Sequence, residues 1–247
     1  MKKVGISMPV ANEAATIRGF LTDLLQHISG LDYAFTIFVI MDSFSKDDTF
    51  RLVEEMAAYD YRISLYFYPD STGVASCYLQ GFRLALAAGC DYIIEMDSGG
   101  SHPPEKIREI LQALDQEDFA VVCMSRFAPG GGLRNLPVYR KLLSWGGTAL
   151  ANLWLGMNLS DATSGFEAFQ SRVLRAMDLD AFISHGGIYQ TEMKYYCAAQ
   201  GHRIKEIPFT YVGTSTAFKA RWIWTALSTL WLMKFNRKNI FKDGSQA

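Results

Sequence analysis

The chain is poor in the features that announce several common classes of protein. Only four of its 247 residues are cysteines, Cys77, Cys90, Cys123 and Cys197, and none stand at CxxC or Cys/His ligand spacing. A structural zinc site and a disulfide framework are both excluded on that pattern, and the cysteines read as small buried residues of a reducing compartment. Charge of one sign is also missing: 24 Lys and Arg balance 25 Asp and Glu, for a net charge of -1. A general nucleic-acid binder needs a basic surface, so any basic patch here must be local. No apolar run reaches the roughly 20 residues of a crossing helix. The nearest approach, Trp222 to Met233 within RWIWTALSTLWLMKFNRK, is too short. The opening stretch MKKVGISMPVANE meets Asn12 and Glu13 before any adequate apolar run, which predicts a first strand rather than a signal peptide, and a cytoplasmic protein. Finally, there is no Walker lysine motif and no GxGxxG after a strand, so a bound nucleotide must be held by other means.

What is present is a regular alternation. With 49% hydrophobic and 20% charged residues and no break in composition, the chain predicts one large domain with a substantial core. Val4–Val10 reads as a buried strand. A helix is predicted to begin at Asn12-Glu13, with Ile17, Phe20, Leu21, Leu24, Leu25 and Ile28 on one face. Ala34–Asp42 is a second strand, and Ser45 with Asp48 resembles a capping box for a helix to Tyr59. RISLYFY, a helix from Gly73 to Ala88 and the strand DYIIEMD continue the pattern. Helix Pro103–Glu117, strand FAVVCMS, a loop with three glycines, helix Val138–Leu155, a turn-rich DATSGFEAF, a helix ended by Gly201 and a last strand RIKEIPFTYV follow. Such β/α alternation implies right-handed crossovers and an α/β, Rossmann-like, mostly parallel sheet with helices on both faces. In such sheets ligands bind beyond the carboxyl ends of the strands, and Asp97 sits at one of those ends. Its alternative role is to cap the helix marked by Pro103 and Pro104, although Ser101 or His102 would serve better as the cap.

Several segments, in this order, resemble the family-two inverting glycosyltransferases, most closely the dolichyl-phosphate (polyprenyl-phosphate) mannose synthase branch. They are MPVANE, DSFSKDDT, GVASCYLQG, AGCDYIIEMDSGGSHPPEKI, SRFAPGGG, RKLLS, DATSGFEAF, QTEM and GHRIKEIPF, and they cover most of the first 210 residues. The resemblance implies a GT-A fold over residues 1–218, followed by a C-terminal amphipathic aromatic helix and tail over 219–247. It also implies a nucleotide-sugar donor, probed by Pro9, Asn12, Glu13, Asp42, Asp97 and Lys219, and a polyprenyl-phosphate acceptor held by Arg126, Arg140 and Ser144. Asp97, Arg126 and Arg140 are the catalytic candidates. A phosphate monoester has its second pKa near about 6 and arrives largely ionised, so placing it electrostatically replaces a strong base. Arginine suits the task through its fixed fork of donors, and Ser144 lies one helical turn beyond Arg140.

The chain departs from that pattern where a metal would bind. Gly99 and Ser101 stand where the family carries further ligands beside the first aspartate, so Mg²⁺ or Mn²⁺ would depend on Asp97 and the substrate phosphates. The alternative is neutralisation of the diphosphate by Lys219 and the arginines. Two other functions stay open on the sequence: transfer to a hydroxyl acceptor with Asp161 as general base, and a non-catalytic glycosyltransferase-like binding subunit. Trp222, Ile223, Trp224, Leu227, Leu230, Trp231 and Leu232, flanked by Arg221, Lys234, Arg237 and Lys238, fit an in-plane membrane contact as well as a core or dimer helix.

Overall fold

The four longest apolar runs of the first hundred residues form the centre of the molecule. In the computed structural model, which describes residues 1–116, 118–213 and 221–241, β1 (Lys3–Val10), β2 (Ala34–Asp42), β3 (Ile63–Tyr68) and β4 (Tyr92–Glu95) are parallel neighbours ordered β3-β2-β1-β4. α1 (Ile17–Ser29) and α2 (Thr49–Tyr59) bury Ile17, Leu21, Leu24 and Val53 against one face. α3 (Val74–Ala87) packs Ala75, Leu79 and Phe82 against the other. The chain therefore moves outward from β1 to β3 and returns through α3 to the far side of β1. The strand order reverses between β1 and β4, which opens a crevice above their carboxyl ends. Gly81 makes this packing close: a Cβ there would lie 2.0 Å from Ser7 Oγ on β1.

The rest of the chain extends the sheet. α4 (Ile107–Leu114), β5 (Val121–Ser125), a short β6 (Gly132–Arg134), α5 (Val138–Leu155), β7 (Glu167–Gln170), α6 (Ser171–Arg175), α7 (Tyr189–Ala199), β8 (Ile204–Pro208), β9 (Thr210–Val212) and α8 (Arg221–Ile240) follow in order. The full sheet runs β3-β2-β1-β4-β7-β5-β8, and β6 pairs with β9 in a separate ribbon. β7 is antiparallel to both neighbours. The expectation of a turn-rich insertion at DATSGFEAF is thus half right, because its second half is a central strand.

Two local expectations are also corrected. No helix begins at Asn12-Glu13: Asn12 takes a left-handed φ of 57°, which asparagine tolerates, and α1 starts only at Ile17. Ser45 and Asp48 form no capping box. Ser45 Oγ instead accepts from Asn12 N (3.1 Å), and Lys46 N donates to Asn12 Oδ1 (2.9 Å), so these side chains lace the loop after β1 to the loop after β2.

α8 buries Leu230, Met233 and Ile240 in the core and stacks Trp231 on Trp154 of α5 at 4.3 Å. Lys234 and Arg237 donate to the carbonyls of Trp154 and Ala199. The proposed boundary at 218/219 falls outside the described residues. All four cysteines are free and buried, and burial pushes the thiols of Cys77 and Cys90 up to about 12 and about 11.

Beneath the crevice lies a charged cluster that no reading of motifs anticipated. Glu95 of β4 and Glu167 of β7 face each other across the ladder, and Lys194 of α7 reaches up to them; all three are fully buried. Lys194 Nζ is bonded to Glu167 and donates to Ser164 O at 2.5 Å. Burial raises Glu95 well above the carboxylate range, with the Glu167 charge adding to it. Burial opposes the charge on Lys194, but the Glu167 carboxylate outweighs it and holds the ammonium protonated. Burial also raises Glu167, against the pull of the Lys194 ammonium.

Candidate active site

The crevice is lined by loops whose anchoring is visible residue by residue. On the β1–β2 side, Asp42 ends β2 and is 8% exposed. Its Oδ1 accepts from Phe44 N (3.0 Å) and Ser71 Oγ (2.7 Å), and Ser71 also accepts from Ser43 N (2.9 Å). Asp42 is therefore more than a turn residue, because it joins the ends of β2 and β3. Pro9 is the second-to-last residue of β1, paired with Ile40 of β2. Glu13 N donates to Thr49 Oγ1 (2.8 Å), and Glu13 Oε2 accepts from Thr16 Oγ1 (2.8 Å). Pro9, Asn12, Glu13 and Asp42 thus lie at the carboxyl ends of β1 and β2 and on the loop that follows β1. Lys219 lies outside the described residues.

Asp97 follows β4 and does not cap the next helix, whose cap position is Pro103. Ser101 Oγ donates to Asp97 Oδ2, and Asp97 N–H donates to His102 Nδ1 at 3.0 Å. That bond makes Nδ1 an acceptor and assigns the ring proton to Nε2, which lies 3.5 Å from Asp97 Oδ2. Burial lowers the His102 pKa, and Arg126 and Lys194 add to that against the opposing charge of Asp97, so the ring is neutral. Ser101 and His102 are not caps; they hold the aspartate. Asp97 Oδ1 is buried without a partner.

On the other side, Arg126 follows β5 directly. Its Nε donates to Asp161 Oδ2 (2.6 Å), and one terminal nitrogen donates to Asp161 Oδ1 (2.7 Å), Ser144 Oγ (2.9 Å) and Thr163 Oγ1 (2.6 Å). A bidentate pair of this kind fixes the plane of the guanidinium. Asp161 is fully buried. Burial alone would raise its pKa, but the hydrogen bonds and charge of Arg126 outweigh it and hold the carboxyl below the usual range. A general base must reach its substrate, so Asp161 is not one; it orients Arg126.

Arg126, Arg140, Ser144 and Thr163 open onto one cavity of about 320 Å³, which Leu133, Leu136, Leu143 and Tyr211 also line. Arg140 and Ser144 come from one face of α5, as their spacing predicts. β4, β7 and β5 are adjacent, and Asp97, the 161–166 loop and Arg126 all lie at the same sheet edge. Two strand spacings place β4 and β5 about 10 Å apart. The space between is bridged by rings: His102 stacks on Phe166 (4.8 Å), Phe166 meets Phe209, Phe209 meets Tyr211, and Arg126 lies over Tyr211 at 5.7 Å. The cationic cavity and Asp97 thus lie at the same edge of the sheet, linked by this chain of rings. The leucines, Tyr211 and Thr163 were not identifiable from sequence; only the adjacency of Thr163 to Asp161 offered a signal.

The family model described as Glycosyl transferase family 2 matches residues 6–178. The chain is 38% identical over 174 residues to the undecaprenyl-phosphate mannosyltransferase of Micrococcus luteus, covering 70% of this chain and 71% of that protein. It is 33% identical over 175 residues to the polyprenol monophosphomannose synthase of Mycolicibacterium smegmatis, covering 70% of this chain and 65% of that one. Among solved structures, glucosyl-3-phosphoglycerate synthase from Mycobacterium tuberculosis in complex with UDP superposes with a TM-score of 0.65 at 16% identity, covering 98% of this chain and 82% of that one. The last likeness shows the fold alone, a GT-A-type sheet. With the reversed strand order, the acidic end of β4 and a family match over most of its length, the chain belongs to glycosyl transferase family 2.

Proposed function

We propose that this protein transfers a hexose, mannose from GDP-mannose, to the phosphate of a polyprenyl phosphate with inversion at the anomeric carbon. The observation that carries the reading is the cavity itself, which sets two arginines and a serine hydroxyl beside a wall of leucines. That combination suits a phosphate that carries a hydrocarbon chain. The names of the relatives from Micrococcus luteus and Mycolicibacterium smegmatis support the same substrate class.

The chemistry requires little beyond placement. A phosphate oxygen attacks the anomeric carbon and forms the new C–O bond while the bond to the nucleoside diphosphate breaks, its electron pair leaving with the diphosphate. A monoester with a second pKa of about 6 is already mostly dianionic at neutral pH, so no proton need be removed. Arg126, fixed by Asp161, and Arg140 aim the nucleophile, and Asp97 stands beside the leaving diphosphate. A divalent cation, when bound, would neutralise charge developing on that diphosphate. Asp97 would hold such an ion, and its Oδ1 has no hydrogen-bond partner to lose.

The acceptor's chain also gives meaning to the outer face of α5. Val138, Leu142, Trp145 and Leu153 are exposed there, and Trp224, Trp231, Leu232 and Phe235 are exposed on α8 beside them. No helix among the described residues is long and apolar enough to cross a membrane. We place this paired face in the headgroup region at the cytoplasmic side of a membrane, with α8 also part of the core. Burying a leucine contributes about 1.5–3 kcal/mol. The pair Leu142→Glu and Leu153→Glu should therefore weaken flotation with anionic vesicles at least about tenfold. Unchanged flotation would remove the membrane contact.

The reaction is tested by incubating the protein with labelled GDP-mannose and either polyprenyl phosphate or unphosphorylated polyprenol. Label should enter the phosphate lipid alone. Label in the alcohol, or in neither lipid with GDP- and UDP-sugars alike, would reject the reading.

A further inference from the structure

Thr163 lines the cavity beside Arg126, Arg140 and Ser144, and three elements fix the loop that carries it. Glu206 of β8 accepts from Ser160 N (2.8 Å) and Asp161 N (3.0 Å). Ala162 N donates to Thr148 Oγ1 of α5 (3.2 Å), and Thr191 Oγ1 of α7 donates to Ala162 O (2.9 Å). The Thr163 side chain has little freedom of its own. Its methyl Cγ2 faces Gly147 of α5, where an added Cβ would lie 3.6 Å away, in ordinary van der Waals contact. A β-branched side chain has few χ1 wells, so the methyl set against α5 goes with a hydroxyl turned to Ser144 and Arg126.

The two hydroxyls have two protons to place. Each carries one proton and accepts at two lone pairs. Thr163 Oγ1 accepts from Arg126 (2.6 Å), and its own proton can go to Asp161 Oδ1 at 3.2 Å or to Ser144 Oγ at 2.8 Å. Asp161 Oδ1 already accepts from Arg126 (2.7 Å) and from Thr163 N (3.1 Å), so it does not need the hydroxyl. The shorter bond to Ser144 is the better use of the proton. Ser144 Oγ then accepts twice, from Thr163 and from Arg126 (2.9 Å), and its own proton has no acceptor among the described residues. A hydroxyl in that state can give a hydrogen bond and take none.

We infer that Thr163 is a positioning residue of the acceptor site: by giving its proton to Ser144, it leaves the Ser144 hydroxyl able only to donate, which fits a ligand oxygen that carries no proton, as on an ionised phosphate. The inference rests on the proposed acceptor and adds to it the group that sets the direction of the Ser144 hydroxyl. Hydrogen bonds in a chain polarise one another, so the run from Thr163 through Ser144 to the phosphate makes Ser144 a stronger donor than it is alone.

The test uses the full chain and steady-state transfer from GDP-mannose to a short-chain polyprenyl phosphate, in Thr163→Val, Thr163→Ser, Ser144→Ala and the double variant Thr163→Val with Ser144→Ala. Thr163→Val keeps the shape of the side chain and loses its hydroxyl, while Arg126 retains its bonds to Asp161 and Ser144. The KM for the lipid phosphate should rise about fivefold, the loss of one hydrogen bond between neutral groups, and the KM for GDP-mannose should stay as it is. Thr163→Ser restores the hydroxyl and should stay close to the wild type. Ser144→Ala should raise the same KM about tenfold or more, and adding Thr163→Val to it should cost nothing further, because Thr163 acts through Ser144. An unchanged KM in Thr163→Val, a Thr163→Ser variant as impaired as Thr163→Val, or the same rise on adding Thr163→Val to Ser144→Ala overturns the inference and leaves the acceptor reading standing. A wild type that binds GDP-mannose and transfers no mannose to polyprenyl phosphate overturns both.

Discussion

Arg126→Ala should lower mannosyl transfer to polyprenyl phosphate by roughly 10²- to 10³-fold, the loss expected when one preorganised donor to a developing or bound anion is removed. Donor binding should be unaffected, because Arg126 follows β5 and the nucleotide loops follow β1, β2 and β3. The variant carries a second cost. Its partner Asp161 is fully buried and would lose the bidentate contact that keeps it ionised. Breaking a buried pair from one side costs about 3–5 kcal/mol, so lost activity in the single variant is mixed with lost stability. Arg126→Ala with Asp161→Asn removes that ambiguity. The double variant should regain thermal stability and remain as inactive as the single one. Recovery of transfer in the double variant would show that Arg126 serves the fold and not the acceptor.

Lys194→Met is the largest stability change expected outside the cleft. It leaves Glu167 and Glu95 buried with no cation, at a cost of about 3–5 kcal/mol near neutral pH. For a chain of this size, a melting temperature lower by roughly 10 °C follows. The pH dependence has a definite sign. Burial already raises Glu167 against the pull of Lys194, and removal of the ammonium raises it further, so the variant's folded state binds more protons than its unfolded state. The deficit should therefore be smallest in acid, below the unfolded pKa, and grow as pH rises toward the folded pKa. Denaturant unfolding at several pH values between about 5 and 8 reads this directly. A deficit that stays constant across that range would mean the ammonium does not lower the pKa of Glu167. Lys194 also donates to Ser164 O, three residues beyond Asp161, so the same variant should loosen the loop that holds Arg126.

The sequence made the frame legible and left the tie points hidden. Apolar runs ending in Asp42 and Asp97 were enough to place both carboxylates at strand ends, and the four-residue spacing of Arg140 and Ser144 placed them on one face of α5. β7 was not legible, because Glu167-Ala-Phe-Gln is too short for a period and its glutamate is satisfied only by a lysine 27 residues later. The same is true of Asp161. As an isolated loop carboxylate it resembled a base, and only its burial and both bonds to Arg126 reveal it as the part that orients the arginine. Asn12 and Ser45 have the residue types of helix caps, yet they bond to each other's loops, a choice decided by how β1 and β2 lie side by side. The glutamates within DYIIEMD and SGFEAF were the available warning of a buried charged cluster, since a carboxylate within an apolar strand must find a partner or a proton.

The claim on which the rest depends is that the Arg126–Arg140–Ser144 cavity receives the acceptor's phosphate. A crystal structure with GDP and a short-chain isoprenyl phosphate tests it most directly. The account predicts the phosphate against both guanidinium groups and the Ser144 hydroxyl, with the isoprenyl chain along Leu133, Leu136 and Leu143 toward the exposed face of α5. A phosphate bound elsewhere, with the cavity empty, would contradict it.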